Sequence, residues 1–399
     1  MLRKIIFTLF LALLACRPFL SSMASPREDI AFSCIFVVIS MLLLRKNDLL
    51  LFKDSAYFFA SLFLIAILIS LSLSQDLEKS FSEFYKYAAY FMAFLAVGSF
   101  NSQERKTLLN ILILSCTLVS LYALRWLIGG LFSTLDYLRG LGITDGFAVE
   151  YLSRGRAFVP FPTPSALAGY LILLAPLSAA LLLETGKNIL KSSTSLLAVI
   201  LISIALLATQ SIGGFLSLVL STAVFLCARK KWQAKKIIIP FLCGLILSGF
   251  GLILLRNTSA HIFNTPLFSL INRSSYWKEA MNVISQHPFA GVGLGNYPFF
   301  KSISPHNSYL QIWAEIGILG LISFVGLAYR TLAKQKGSWN NALWIGSLAF
   351  LIHNLVDFTF FQPEVSLLWW VVAALLTGPA TPGPIGWSGV PLSAAKETA

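Results

Sequence analysis

Apolar runs close to the length of a membrane-spanning helix recur along almost the whole of this chain, and that recurrence restricts the fold more than any single residue does. Crossing roughly 30 Å of hydrocarbon takes a helix of about 20 residues, because a helix satisfies its backbone polar groups without water. Such runs fall at approximately 5–21, 29–45, 55–74, 84–100, 106–128, 164–184, 191–208, 211–228, 237–255, 308–330, 340–358 and 363–378. Of the 399 residues 57% are hydrophobic and only 12% charged, with a mean hydropathy of +0.77. A water-soluble globular domain of this size does not carry such a composition. The sequence therefore predicts an all-α polytopic membrane protein of about twelve transmembrane helices. They form one transmembrane domain over residues 1–378, followed by a flexible Gly- and Pro-rich tail over 379–399.

The formal charge of +13 is distributed in a way that argues against a nucleic-acid partner. Basic residues collect in every second loop, for example Arg3 and Lys4, Arg105 and Lys106, and Arg229, Lys230 and Lys231. That is the bias of loops that stay in the cytoplasm. Both termini are then cytoplasmic, and the two long loops, roughly 129–163 and 256–307, lie outside, the second of them between helices nine and ten. The run ending Leu13-Leu14-Ala15-Cys16 resembles a lipoprotein signal; a retained first helix keeps the helix count even. The five cysteines all sit in apolar segments with no close pair. They imply neither a disulfide framework nor a zinc site.

Chemistry is expected in the outer loops and helix ends. Residues 275–286 place Tyr276, Trp277, Ala280, Met281, Val283 and Ile284 on a helical period, with Ser274 or Ser275 as cap and Pro288 as stop. The pattern predicts a short amphipathic surface helix. Arg273 would stand at its start, beside free N–H groups that favour an anion, or would simply snorkel to lipid headgroups. Gly291, Gly293 and Gly295 follow no predicted strand, so they are read as a tight turn that brings backbone close to a ligand or to another helix. His306 precedes the tenth helix; with an ordinary pKa of about 6.5 it suits proton removal near neutral pH, or it serves as an interfacial anchor. His287, next to a proline, is read as a helix cap. His353 and Asp357, at i and i+4, are expected to share the outer end of helix eleven. Arg154 and Arg156 precede Pro164 in the earlier loop, and guanidinium groups grip phosphate oxygens bidentately. The loop 256–307 holds a single carboxylate, Glu279, too few for Mg²⁺ or Mn²⁺. No metal and no cofactor is therefore expected.

The stretch Asn272 to Leu321 resembles the signature loop of the O-antigen ligase family. The similarity rests on Arg273 with Trp277, His287 to Gly295, His306-Asn307-Ser308 and Ala314-Glu315-Ile316-Gly317. It extends over roughly 150–375 and implies a membrane-embedded glycosyltransferase. In that reading a glycan moves from an undecaprenyl-diphosphate carrier to an acceptor glycolipid such as lipid A core, with inversion and without a metal. The enzyme would sit in a bacterial inner membrane, with its active loop on the periplasmic face. His306 would be catalytic, Arg273, Arg156 and Arg154 would bind diphosphate, and Asn307, His353 and Asp357 would support them. A polysaccharide polymerase of the same family is the nearest alternative, and a lipid-linked glycan transporter or flippase an alternative of another class. One departure stands out. Ser211-Ile212-Gly213-Gly214 occupies the place where the family commonly has Ser-Arg-Gly, so an arginine is absent at Ile212.

Overall fold

The computed structural model describes residues 1–22, 25–45, 51–52, 54–185, 189–228, 268–298, 304–333 and 338–378. The predicted ninth span, 237–255, and the tail 379–399 lie outside the described residues. Within the described residues the chain is helical, without strands.

Successive helices are α1 (Leu2–Cys16), α2 (Pro26–Leu43), α3 (Ser55–Ser72), α4 (Leu77–Gly98), α5 (Ser102–Arg125), α6 (Leu131–Gly140) and α7 (Phe147–Ser153). They are followed by α8 (Pro164–Thr185), α9 (Ile189–Ala208), α10 (Ile212–Ala228), α11 (Phe268–Gln286), α12 (Ser308–Ala333), α13 (Ser338–His353) and α14 (Pro363–Thr377). Polar residues set several of the starts. Asp54 and Asp76 accept from the first-turn N–H groups of α3 and α4, while Asn101 and Glu104 form a reciprocal capping box on α5. Proline opens α2, α8 and α14, where its missing N–H costs nothing.

Four helical segments are long and apolar enough to cross a membrane: Ser55–Ser72, Ser102–Gly140, Pro164–Leu183 and Ser308–Ala333. The second joins α5 to α6 through a π-turn at Trp126–Gly130. Its 39 residues, at about 1.5 Å each, outreach a hydrocarbon core of about 30 Å. The predicted loop 129–163 therefore begins as helix. Leu114, Leu118 and Leu121 stand exposed along one face of α5, a stripe suited to lipid and costly in water.

Packing centres on α14, in which every residue from Pro363 to Thr377 is buried. A helix that is apolar all round belongs inside a bundle. It packs against α4, α8, α12 and α13, and Trp369 and Trp370 join the aromatic cluster of Phe324, Phe360 and Phe94. At its C-terminal end the buried Arg105 donates to Leu375 O (3.2 Å) and to Val97 O, Gly98 O and Phe100 O at the end of α4. One guanidinium thereby satisfies carbonyls that two helix ends leave open. The opposite end of the bundle gathers the starts of α8, α10 and α12 and the end of α13.

Candidate functional site

The polar site residues meet at that second end. Asn307 opens α12 by accepting from Tyr309 N (3.0 Å) and Leu310 N (3.1 Å), the bonding of an N-cap. Immediately before it, His306 holds a left-handed backbone, φ 49°, sparsely populated for a residue with a Cβ and typical of functional sites. Its N–H donates to Ser304 Oγ at 3.3 Å. Its ring lies against Tyr276, with centroids 5.8 Å apart and 29° between planes, and edge-on to Phe358 at 5.0 Å. Among the described residues Nδ1 is buried without a hydrogen-bond partner. Burial holds the ring below its ordinary pKa; Asp357 opposes that shift and Arg273 adds to it.

Arg273 reaches Asp357, Nη2 to Oδ2 at 3.8 Å, with both side chains mostly buried. This joins the signature loop to the chain after α13, 84 residues further on (357 minus 273). Two expectations change here. Helix α11 begins at Phe268, so Arg273 falls in its second turn and has no free helix-start N–H groups beside it. Apolar Phe268, Leu270 and Ile271 extend the helix beyond the serines read as its cap. Likewise α13 ends at His353, so His353 and Asp357 do not share a helical face. Asn354 ends it: Oδ1 accepts from Ser308 Oγ (2.6 Å), Phe360 N (2.8 Å) and Thr359 Oγ1 (3.2 Å). That knot turns Asp357 back toward Arg273.

His353 is buried, with Nε2 3.4 Å from Ser165 O at the start of α8. Its Nδ1 faces Gly213 in the first turn of α10, where a Cβ would stand 3.2 Å away. Arg156 is placed beside that same turn. Its Nε donates to Thr209 O at 2.9 Å, and Nη2 lies 3.5 Å from Gln210 O, adjoining the Ser211-Ile212-Gly213 departure. Arg154 instead pairs with Glu150, Nη2 to Oε1 at 2.9 Å, one turn back on α7. Of the three arginines, Arg273 and Arg156 are thus tied to the cluster through named contacts, and Arg154 is tied to α7.

The glycine turn approaches a helix. Gly291, φ 72°, packs so close to α12 that a Cβ would stand 2.3 Å from Glu315 O. Gly317, φ 80°, kinks α12 and leaves no room for a Cβ beneath Phe289 O. Around the kink Val292 N donates to Ala314 O, Gly293 N to Glu315 O, and Gly295 N to Glu315 Oε2 at 2.7 Å. Phe358, Ser165 and Gly213 have no role at the site in the sequence reading; a turn residue, a first-turn serine and a glycine carry no signal of tertiary contact. Among the described residues no group of three or more His, Cys, Asp or Glu side chains is placed to hold a metal ion.

Fold and site define a class: a multi-pass membrane protein whose ionisable groups gather where several of its helices begin and end. Residues 197–325 match the family model described as O-antigen ligase. The chain is 25% identical over 368 residues to the O-antigen ligase of Salmonella typhimurium strain LT2, covering 82% of this chain and 83% of that protein. It is also 25% identical over 261 residues to a Rickettsia conorii protein that carries the provisional name polysaccharide ligase, covering 57% of this chain and 61% of the relative. A Rickettsia typhi protein with the same provisional name is 24% identical, covering 61% of this chain and 67% of its own length. By these comparisons the chain is similar to the O-antigen ligase family, and it is an enzyme of the ligase or glycosyltransferase type.

Proposed function

We propose that this enzyme transfers a glycan from an undecaprenyl-diphosphate carrier to a sugar hydroxyl of an acceptor glycolipid such as lipid A core, without a metal and with inversion. The observation that supports this reading is the pairing of Arg273 with Asp357 across 84 residues, beside a His306 ring packed between Tyr276 and Phe358 at the helix ends. Arg273 binds the diphosphate, its planar fork meeting two phosphate oxygens. Arg156, beside the first turn of α10 where the family arginine is absent, supplies the second cation, with Arg154 further out.

His306 accepts the acceptor proton. Its depressed pKa keeps the ring neutral near pH 7, the form a base requires. The acceptor oxygen attacks the anomeric carbon, and the carrier diphosphate leaves from the opposite face, its charge met by arginine donors. His353 and Asn307 brace the cluster through Ser165, Gly213 and the start of α12. The site lies on the periplasmic face of a bacterial inner membrane, where membrane lipids surround the helices and the lipid-linked donor enters laterally.

The test is transfer by the purified chain in liposomes, using an undecaprenyl-diphosphate glycan and a lipid A core acceptor, with and without EDTA. Expected are an acceptor of increased mass, an inverted anomeric linkage and an EDTA-insensitive rate. Growth of the lipid-linked glycan itself would mark a polymerase, and movement of unaltered donor across the bilayer a flippase. A cysteine at exposed Ser285, in a background otherwise free of cysteine, should react with a reagent confined to the outer side; labelling only from inside would invert the assigned topology.

A further inference from the structure

A histidine that exchanges protons is commonly oriented by a hydrogen bond from its second ring nitrogen to a carboxylate or a carbonyl. Among the described residues the His306 ring has no such bond. Nδ1 is sealed without a partner, and the hydrogen bond this residue does make comes from its backbone N–H, to Ser304 Oγ. Two aromatic rings hold the imidazole instead. Tyr276, 30 residues earlier on α11 (306 minus 276), stacks on it at 5.8 Å with 29° between planes. Phe358, 52 residues later in the turn after α13 (358 minus 306), meets it at 5.0 Å and 84°. Both separations fall within the roughly 4.5 to 7 Å of favourable ring pairs. The segments that carry these two rings are joined, because Arg273, three residues before Tyr276, pairs with Asp357, next to Phe358, at 3.8 Å. The left-handed backbone of His306 and the Asn307 cap that follows fix the point from which the imidazole projects.

We infer that Tyr276 and Phe358 are positioning residues whose rings clamp the imidazole with Nδ1 turned inward, so that Nε2 is the nitrogen that meets the acceptor hydroxyl. This rests on the proposed glycan transfer. Nε2 has no hydrogen bond among the described residues and, unlike Nδ1, is not sealed. It is the ring nitrogen a substrate can reach. The acceptor proton passes to Nε2 as the acceptor oxygen bonds to the anomeric carbon; the C–O bond to the carrier breaks, and its electron pair leaves with the diphosphate. The Tyr276 hydroxyl makes no hydrogen bond among the described residues, so Tyr276 acts here as a flat ring. Packing thus supplies the preorganisation that a hydrogen-bonded orienting group provides elsewhere.

The experiment compares Tyr276→Phe, which keeps the ring, with Tyr276→Leu, which keeps apolar bulk without it. Each is read by kcat and KM, and by alkylation of His306 with iodoacetamide, the two ring-nitrogen derivatives of the His306 peptide being separated after hydrolysis. Parent enzyme and Tyr276→Phe should give the Nε2 derivative alone and kcat values within about two-fold of each other. Tyr276→Leu should give both derivatives and lose about ten-fold or more in kcat, since a misplaced catalytic group costs up to about a hundred-fold, while KM for the lipid-linked donor stays within about two-fold. Phe358→Leu, on the other side of the ring, should behave as Tyr276→Leu does and decides the matter if Tyr276→Leu does not fold. An Nδ1 derivative from the parent enzyme, or leucine variants with parent kcat and a single derivative, would overturn the inference. A parent enzyme that gives only the Nε2 derivative yet transfers no glycan would count against the proposed function and leave the clamp standing.

Discussion

The signature stretch divides into two regions that treat polar groups in opposite ways. From Gly291 to Asn296 nearly everything is paired. Glu315 takes Gly295 N–H and Gln311 Nε2 on its two oxygens at 2.7 and 2.8 Å. Asn296 donates to Ser74 Oγ, Asp76 O and Ser80 Oγ at 2.6 to 3.0 Å. Among the described residues the bonding of His306 itself and of Arg273 is sparse: one backbone bond of 3.3 Å, an Nδ1 without a partner and an ion pair stretched to 3.8 Å. Satisfied buried groups hold architecture, and unsatisfied ones call for an explanation. Under the proposed function the contrast reads as fold in the glycine half and chemistry in the histidine half, although both lie in one motif.

The hardest blow to that division comes from His306→Ala. Transfer should fall about a hundred-fold or more, the usual contribution of a general base, while lipid-donor binding and thermal stability stay near the parent values. In the parent enzyme the rate should hold at neutral pH and drop only in acid. The reason is the sign of the shift: burial, assisted by Arg273, holds the ring below its ordinary value, so protonation comes late as pH falls. A rate that instead climbs on acidification would contradict a neutral-ring base.

Arg273→Lys should rank next, losing about ten-fold or more in kcat/KM for the lipid-linked donor. Charge survives in this variant, but the planar fork does not. A parent-like lysine variant would reduce Arg273 to an anchor and leave His306 alone as the chemical half.

Gly317→Ala tests the other half. A Cβ there collides with Phe289 O, and φ of 80° is strained for alanine, a cost on the order of 1 to 3 kcal/mol. The thermal unfolding midpoint should fall while transfer per folded molecule stays within about two-fold. A stable but inactive variant would place chemistry in the glycine half and break the comparison.

How far the sequence could be read follows the same line. Apolar runs announced α3, α8, α9, α10, α12 and α14 almost to their ends, because lipid-scale burial leaves a long, continuous signal. The end of α13 was hidden, since Asn354 stops it by spending its amide on Ser308, Thr359 and Phe360, contacts no local pattern encodes. For the same reason the start of α11 was misplaced: serines that look like caps lie inside a helix begun by Phe268. At the site, residue identity singled out His306, Arg273 and Asp357, but only the folded chain brings Asp357 to Arg273 and Phe358 to the His306 ring. It also separates Arg156, held at Thr209 and Gln210, from Arg154, paired with Glu150, a distinction that two arginines one residue apart cannot carry in sequence.

The smallest effect belongs to His287→Ala, and its smallness is the point. His287 lies 19 residues before His306 in the same motif (306 minus 287), and its contacts differ. Its N–H donates to Val283 O and its carbonyl accepts from Gly291 N, both at 3.1 Å, so the backbone of this residue closes α11 and opens the glycine turn. Alanine preserves both bonds. The side chain is half-buried and makes no polar contact among the described residues, so stability should change by no more than about 0.5 kcal/mol and transfer by less than about two-fold. Measuring both histidine variants in one membrane preparation, with donor binding alongside transfer, separates the halves directly. An inactive His287→Ala beside an active His306→Ala would exchange their roles and move the base into the region assigned here to architecture.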